Sequence, residues 1–317
     1  MNNTPQNDKK KVNVGKNKQM GLIITVLVLV LLVVVVIIAM ILGGNSNEKD
    51  PDVTKPPKQT DAPIGPGGTT PGDKEQISVP SANLFIGTLL NINANNKKGG
   101  TPDFEEGVAI NEITKEDLET IGYVRLNQGD GYSLKVKDWT VVLKKEAADA
   151  LNEMLEAFKA VSNVEKNNFV VISGYSKDTT SSYSSGYCAF LNTSEYTGFE
   201  SSSNKVTIDG KEMKWSDWFK ANCAKFGFIY VGVGEFRYVG KVHAAYMTQN
   251  SLGVEEYIQA VKNAQGGVTV TDADGATWTV SYYKANKSGS TLVNAGAGKE
   301  YVISGDNTSG FIVACKN

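Results

Sequence analysis

One stretch departs from the pattern of the rest of the chain. Residues 21–42 read GLIITVLVLVLLVVVVIIAMIL, with no charge and no proline. As a helix rising ~1.5 Å per residue, these 22 positions span roughly 33 Å, enough for a hydrocarbon core of ~30 Å. The segment is apolar on every side, so it has no face to offer water. In lipid, a helix is the form in which such a segment satisfies its own backbone. The run is too long for a cleaved signal peptide, and Ala39-Met40-Ile41 makes a poor cleavage site. The pattern predicts an uncleaved signal anchor.

Beyond it the pattern changes twice. Residues 43–82 hold seven of the nine prolines among Gly, Thr, Lys and Asp, with little to bury, and read as a linker. Folded sequence is expected from residue 83. The apolar run 84–92 predicts a strand. Leu151, Met154, Leu155 and Phe158 recur at helical spacing and predict a helix over 145–160. Phe169–Ser173 predicts a short buried strand, and residues 215–226 a helix stopped by Gly227. A strand follows at 228–231, then helices at Lys241–Gln249 and Val254–Asn263. From residue 264 onward, short β-type runs at 267–271, 277–283, 301–304 and 310–314 alternate with Gly, Asp and Asn turns. The expected architecture is α+β: a mixed domain over 83–263 with a small β unit over 264–317.

Charge adds an orientation. Lys9, Lys10, Lys11, Lys16 and Lys18 precede the apolar run, opposed only by Asp8. The positive-inside rule then keeps residues 1–20 in the cytoplasm and predicts a single-pass membrane protein with its C-terminal part outside. Removing those five lysines and one aspartate from the totals of 32 basic and 34 acidic residues leaves the outer part at −6. That balance argues against a nucleic-acid partner. Cys188, Cys223 and Cys315 have no metal-type spacing. One pair could bridge outside the cytoplasm, but each reads more simply as a small buried hydrophobe.

Three segments carry a resemblance. They are Val171-Ile172-Ser173-Gly174-Tyr175, then Trp218 to Phe228 (WFKANCAKFGF), then Phe236 to Ala244 (FRYVGKVHA) continuing to Gly253-Val254-Glu255-Glu256-Tyr257-Ile258. In order and spacing they resemble the VanY-type D-alanyl-D-alanine carboxypeptidases, with their strand ending in SGYRS, their WLxxNAxxYGF helix and their FRYVGxxHA segment. The resemblance covers roughly residues 84–263. It implies the fold shared by DD-peptidase and Hedgehog-type domains, a zinc ion, and a cell-wall peptide as substrate.

The family's zinc is held by a His and an Asp of SxHxxGxAxD and by the His of a later ExxH, whose Glu acts as general base. Three such ligands leave one position open for a water of lowered pKa. Placed on this chain, Ser181, Gly186 and Cys188 match the motif's Ser, Gly and Ala. Tyr183 stands at the His position, Phe190 at the Asp position, Glu235 at the later His and Gly232 at the catalytic Glu. Ser176 replaces the Arg that in the family meets the substrate carboxylate, with Lys177 beside it. The chain has one histidine, His243, at a position that is not a ligand in the family. The expectation is therefore a carboxypeptidase-like protein without zinc or catalytic residues.

Its old cleft would be lined by Tyr175, Ser176, Ser181, Tyr183, Phe190, Glu235 and Arg237, and would bind peptidoglycan or its stem peptides. Two alternatives stay open at this point. One is a structural or protein-interaction domain of an envelope complex. The other is a working D,D-carboxypeptidase with unorthodox ligands, for which Glu235, Cys188 and Asp178 are the available candidates. No GxSxG elbow is present, and Ser202-Ser203-Asn204-Lys205 lies in a polar loop that does not suit a penicillin-binding serine.

Overall fold

A computed structural model describes residues 75–126, 131–132, 134–296 and 298–317. The expected cytoplasmic tail, the span at 21–42 and the linker as far as residue 74 lie outside the described residues. Among the described residues, no helix is long and apolar enough to cross a membrane.

In chain order the strands are β1 (Gln76–Pro80), β2 (Tyr123–Arg125), β3 (Lys135–Val136), β4 (Val142–Lys144), β5 (Phe169–Ser173), β6 (Cys188–Thr193), β7 (Lys205–Ile208) and β8 (Lys211–Lys214). They continue with β9 (Phe228–Gly232), β10 (Glu235–Tyr238), β11 (Val268–Thr271), β12 (Thr277–Lys284), β13 (Ser290–Asn294), β14 (Tyr301–Gly305) and β15 (Gly310–Lys316). The helices are α1 (Lys115–Thr120), α2 (Lys145–Ser162), α3 (Trp215–Asn222), α4 (Lys241–Gln249) and α5 (Val254–Asn263). The fold is mixed α+β, as the sequence predicts.

The central sheet has the order β3-β5-β6-β10-β9, parallel only between β3 and β5. One face meets α2. Leu151, Met154, Leu155 and Phe158 sit one or two turns apart on that helix, and all are buried against Phe169, Val171, Leu191 and Phe236. Phe158 stacks at its edge on Phe169 and lies 5.0 Å from Trp218. Each such side chain contributes roughly 1.5–3 kcal/mol by leaving water, so this layer is built without help from a metal. Helix α2 ends at Asn163, in the left-handed region at φ 57°. The helix at 215 tightens into a 3-10 turn over Cys223–Phe226 and stops at Gly227 with φ 82°.

The C-terminal strands form an antiparallel sheet in the order β11-β12-β15-β14. Val270, Trp278, Val280 and Ile312 of this sheet share one core with Val242, Met247, Tyr257 and Ile258 of α4 and α5. Phe311 and Val313 pack on the opposite side against Val79 and Val293. Two expectations change here. Residues 76–80, read as linker, form β1, whose five residues pair antiparallel with β13 from Gln76↔Asn294 to Pro80↔Ser290. The strand expected at 84–92 is absent. A 3-10 turn covers Ser81–Phe85, and Leu89, Leu90 and Ile92 are buried in irregular chain. Long-range partners hold that chain in place of a sheet ladder: Leu89 N–H donates to Ser304 Oγ at 2.9 Å, and Asn91 N–H to the Asp306 carbonyl at 3.1 Å.

Candidate functional site

On the sheet face turned away from α2, four positions fall in one row across the strands. Ser173 pairs with Phe190, Phe190 with Glu235, and Glu235 with Gly232. Cross-strand partners project to the same side, so this row forms a floor. The register shifts at both ends of it, between Val171 and Ser173 in β5 and between Glu235 and Phe236 in β10. Such bulges bend the strand and re-aim the side chains beside them.

Two loops wall the floor. Gly174 brings the chain after β5 so close to β4 that a Cβ there would fall on the Val142 carbonyl oxygen. The next residue, Tyr175, donates its N–H to that same carbonyl at 2.8 Å, and its ring lies 4.6 Å from Phe104 and 5.4 Å from Tyr123. The 3-10 turn Ser182–Ser185 then sets Tyr183 over the floor, with the Ser181 hydroxyl accepting from the Tyr183 N–H at 3.3 Å. Tyr183 Oη donates to Glu235 Oε1 at 3.1 Å. The third wall is the β3–β4 loop. Lys137 N–H donates to the Val171 carbonyl at 2.9 Å, and Asp138 Oδ1 accepts from the Thr140 N–H at 2.9 Å. Trp139 stands on this loop 64% exposed.

Together these groups enclose a cleft of ≈ 400 Å³ that includes Tyr175, Ser176, Ser181, Tyr183, Phe190 and Glu235. Arg237 is a correction. It does not line the cleft. It is buried, donating to the Leu90 carbonyl at 2.6 Å and reaching that of Thr88 at 3.5 Å, and burial lowers its pKa. Two residues beyond Glu235 it shares the same strand face, but the segment 88–90 covers it. Gly232 reaches the row only through its backbone pairing with Glu235. Lys137, Asp138, Thr140 and Val141 also line the cleft, and sequence reasoning missed them. The available signal was Asp138-Trp139-Thr140, an Asx-type turn ahead of the apolar Val141-Val142-Leu143.

The electrostatics follow from these contacts. Burial first, and then the Glu235 carboxylate, push the Tyr183 phenol far above its ordinary range. Tyr183 therefore keeps its proton and acts as a donor. Burial, followed by the field of Asp103, raises Tyr175 to about 12. Lys177 turns out of the cleft, its Nζ donating to the Val108 carbonyl at 2.5 Å and to that of Glu105 at 3.4 Å. Glu235 has no ion-pair partner among the described residues.

The donor set does not fit a zinc ion of the family's type. Phe190 has no donor atom, and Tyr183 is a protonated phenol. Glu235 supplies one carboxylate where three N/O ligands are needed. The only histidine is elsewhere: His243 is buried on α4, with Nδ1 at 2.7 Å from Tyr257 Oη. Among the described residues, no three His, Cys, Asp or Glu gather to hold a metal, so Glu235, Cys188 and Asp178 form no such group. The three cysteines are free thiols, with Cys188 and Cys223 buried.

No family model matches the chain. A D-alanyl-D-alanine carboxypeptidase of Enterococcus faecium is 25% identical over 268 residues, 78% of this chain and 80% of that protein. Among solved structures, the vancomycin resistance D,D-dipeptidase VanXYg, in complex with a D-Ala-D-Ala phosphinate analogue, aligns with a TM-score of 0.54. That match has 20% identity and covers 78% of this chain and 100% of that one. A mutant VanY from a VanB-type resistance cassette, in complex with Zn(II), aligns at a TM-score of 0.34 with 17% identity over 54% of this chain and 98% of that one. That last likeness is too loose to place residues. The resemblance to the D-alanyl-D-alanine carboxypeptidases is thus carried by sequence and by fold.

Proposed function

We propose that this chain is a membrane-anchored, extracytoplasmic, carboxypeptidase-like protein that binds peptidoglycan stem peptides in its cleft without hydrolysing them. The observation that carries the reading is the contact between Tyr183 and Glu235, beside Phe190. At the positions matching the family's metal ligands, a protonated phenol is tied to a lone carboxylate and the third member is a hydrocarbon ring. Such a set can bind and orient a ligand. It cannot ligate an ion in the inherited way, and so cannot poise a water for amide cleavage. The domain does not need the metal to fold, because its core is apolar helix and sheet. The E. faecium relative, by what it is called, supports a D-alanyl peptide as the ligand class. The apolar run at 21–42 and the lysines before it support the anchor and its orientation.

The test uses the full chain in a non-ionic detergent. Muropeptide pentapeptide is titrated while tryptophan emission is followed, zinc is measured after purification, and release of D-alanine is assayed. Saturable binding with substoichiometric zinc and no D-alanine supports the proposal. Stoichiometric zinc with turnover sinks it.

A further inference from the structure

The cleft has lost its means of holding an anion and gained a means of holding a cation. The family's carboxylate-binding Arg is Ser176 here, and the adjacent Lys177 is engaged outside the cleft by two backbone carbonyls. The cationic Arg237 is sealed beneath the segment 88–90. At the rim, Lys137 and Asp138 are neighbours of opposite sign, both exposed, so their fields largely cancel in water. What remains is Glu235 on the floor. Its Oε1 accepts from Tyr183, and no ammonium or guanidinium stands within ion-pair distance of it among the described residues. Around it stand the ring of Phe190 in the same row and that of Tyr183 in hydrogen-bond contact, with Tyr175 on the wall. A carboxylate with aromatic side chains beside it in a cleft is the chemistry that recognises an alkylammonium, through charge-assisted hydrogen bonds and cation–π attraction.

Resting on the reading of the cleft as a peptide site, we infer that it recognises a primary ammonium seated between Glu235 and the rings of Phe190 and Tyr183. The ligand's free C-terminal carboxylate is not the group it grips. The ammonium could belong to a lysyl side chain or to a peptide N-terminus. The lysyl side chain suits the cleft better, because its methylene stem can lie along Tyr175 and Phe190 while its head reaches the floor.

The experiment again uses the full chain in non-ionic detergent. The probes are the pentapeptide L-Ala-γ-D-Glu-L-Lys-D-Ala-D-Ala and three forms of it: Nε-acetylated, Nα-acetylated and C-terminally amidated. Nα-acetyl-lysine amide and its norleucine counterpart serve as minimal ligands. Nε-acetylation is expected to weaken binding about tenfold or more, with C-terminal amidation changing it less than about threefold. Glu235→Gln keeps an acceptor for Tyr183 and should remove the preference for free over acetylated lysine. Loss on Nα-acetylation instead would assign the site to a peptide N-terminus. If the peptide binds and neither acetylation matters, the ammonium inference falls while the peptide reading survives. If Nα-acetyl-lysine amide binds, dependent on Glu235, but the pentapeptide does not, the inference stands and the stem-peptide reading falls. If nothing binds, both fall.

Discussion

The guanidinium of Arg237 donates a 2.6 Å hydrogen bond to the main-chain carbonyl of Leu90, joining β10 to an irregular segment 147 residues earlier. Leu89 N–H and Asn91 N–H tie the same segment to Ser304 and Asp306, and the cation has no acidic partner among the described residues. Arg237→Met keeps the apolar stem and removes the donors. It strands the carbonyl of Leu90 in a buried place, at a cost of about 2 kcal/mol. Thermal denaturation should register that loss, with peptide affinity of the folded fraction unchanged. A variant that melts normally and fails to bind would return Arg237 to the cleft.

Gly186 closes the turn that carries Tyr183. Its φ is 79°, and a Cβ there would fall on Tyr123 Oη. Both the left-handed backbone and the crowding oppose a side chain, so Gly186→Ala should destabilise by about 2–3 kcal/mol. Because the Lys144 N–H donates to the Gly186 carbonyl at 2.9 Å, the shift should also loosen the start of α2. Amide exchange at residues 144–148 would reveal this, and unchanged protection there would refute it.

Burial draws the His243 imidazole down from its ordinary 6.5 to about 4. Between those pH values the unfolded chain takes up a proton that the native chain refuses, so this histidine makes stability fall as pH drops through that window. The loss amounts to about 3 kcal/mol. His243→Gln lacks the term. Urea midpoints of the wild type should therefore approach or cross those of the variant from pH 6.5 down to pH 4. Parallel curves would mean that the ring is hydrated.

Residues 264–317 read as a small β unit appended to the core; their four-stranded sheet shares a core with α4 and α5, and β13 within the same residues pairs with β1. A chain ending at residue 263 would expose Val242, Met247, Tyr257 and Ile258, each worth roughly 1.5–3 kcal/mol of burial. It should lose cooperative unfolding in calorimetry. A sharp transition in the truncated chain would show that the two parts fold separately.

The elements legible in the sequence were those whose periodicity matched their packing. Phe169–Ser173, Lys241–Gln249 and Val254–Asn263 fall where the pattern puts them, because local hydrophobic spacing and the buried face agree. Residues 84–92 misled because an apolar run says what is buried, not what it pairs with. Leu89 and Leu90 are held by Ser304 and Arg237, contacts that no local pattern encodes. β1 was hidden for the opposite reason: of its five residues only Val79 is buried, and Pro80 ends it. The motif positions Tyr175, Ser176, Ser181, Tyr183, Phe190 and Glu235 line one cleft. Lys137, Asp138, Thr140 and Val141 were missed because the turn signal at Asp138-Trp139-Thr140 says where the chain bends, not what it lines. The resemblance put Arg237 in the cleft, and no local pattern pointed to the Thr88 and Leu90 carbonyls that cap it.

The pairing of β1 with β13 has a mechanical consequence. Any tension arriving along the chain from residues before Gln76 meets a five-residue antiparallel ladder first. That ladder rests on the C-terminal sheet rather than on the strand and the 3-10 turn that carry Glu235 and Tyr183. Pulling on the N-terminal side would therefore spend its work peeling Gln76–Pro80 away from Ser290–Asn294, leaving the groove's shape intact until that seam gives way.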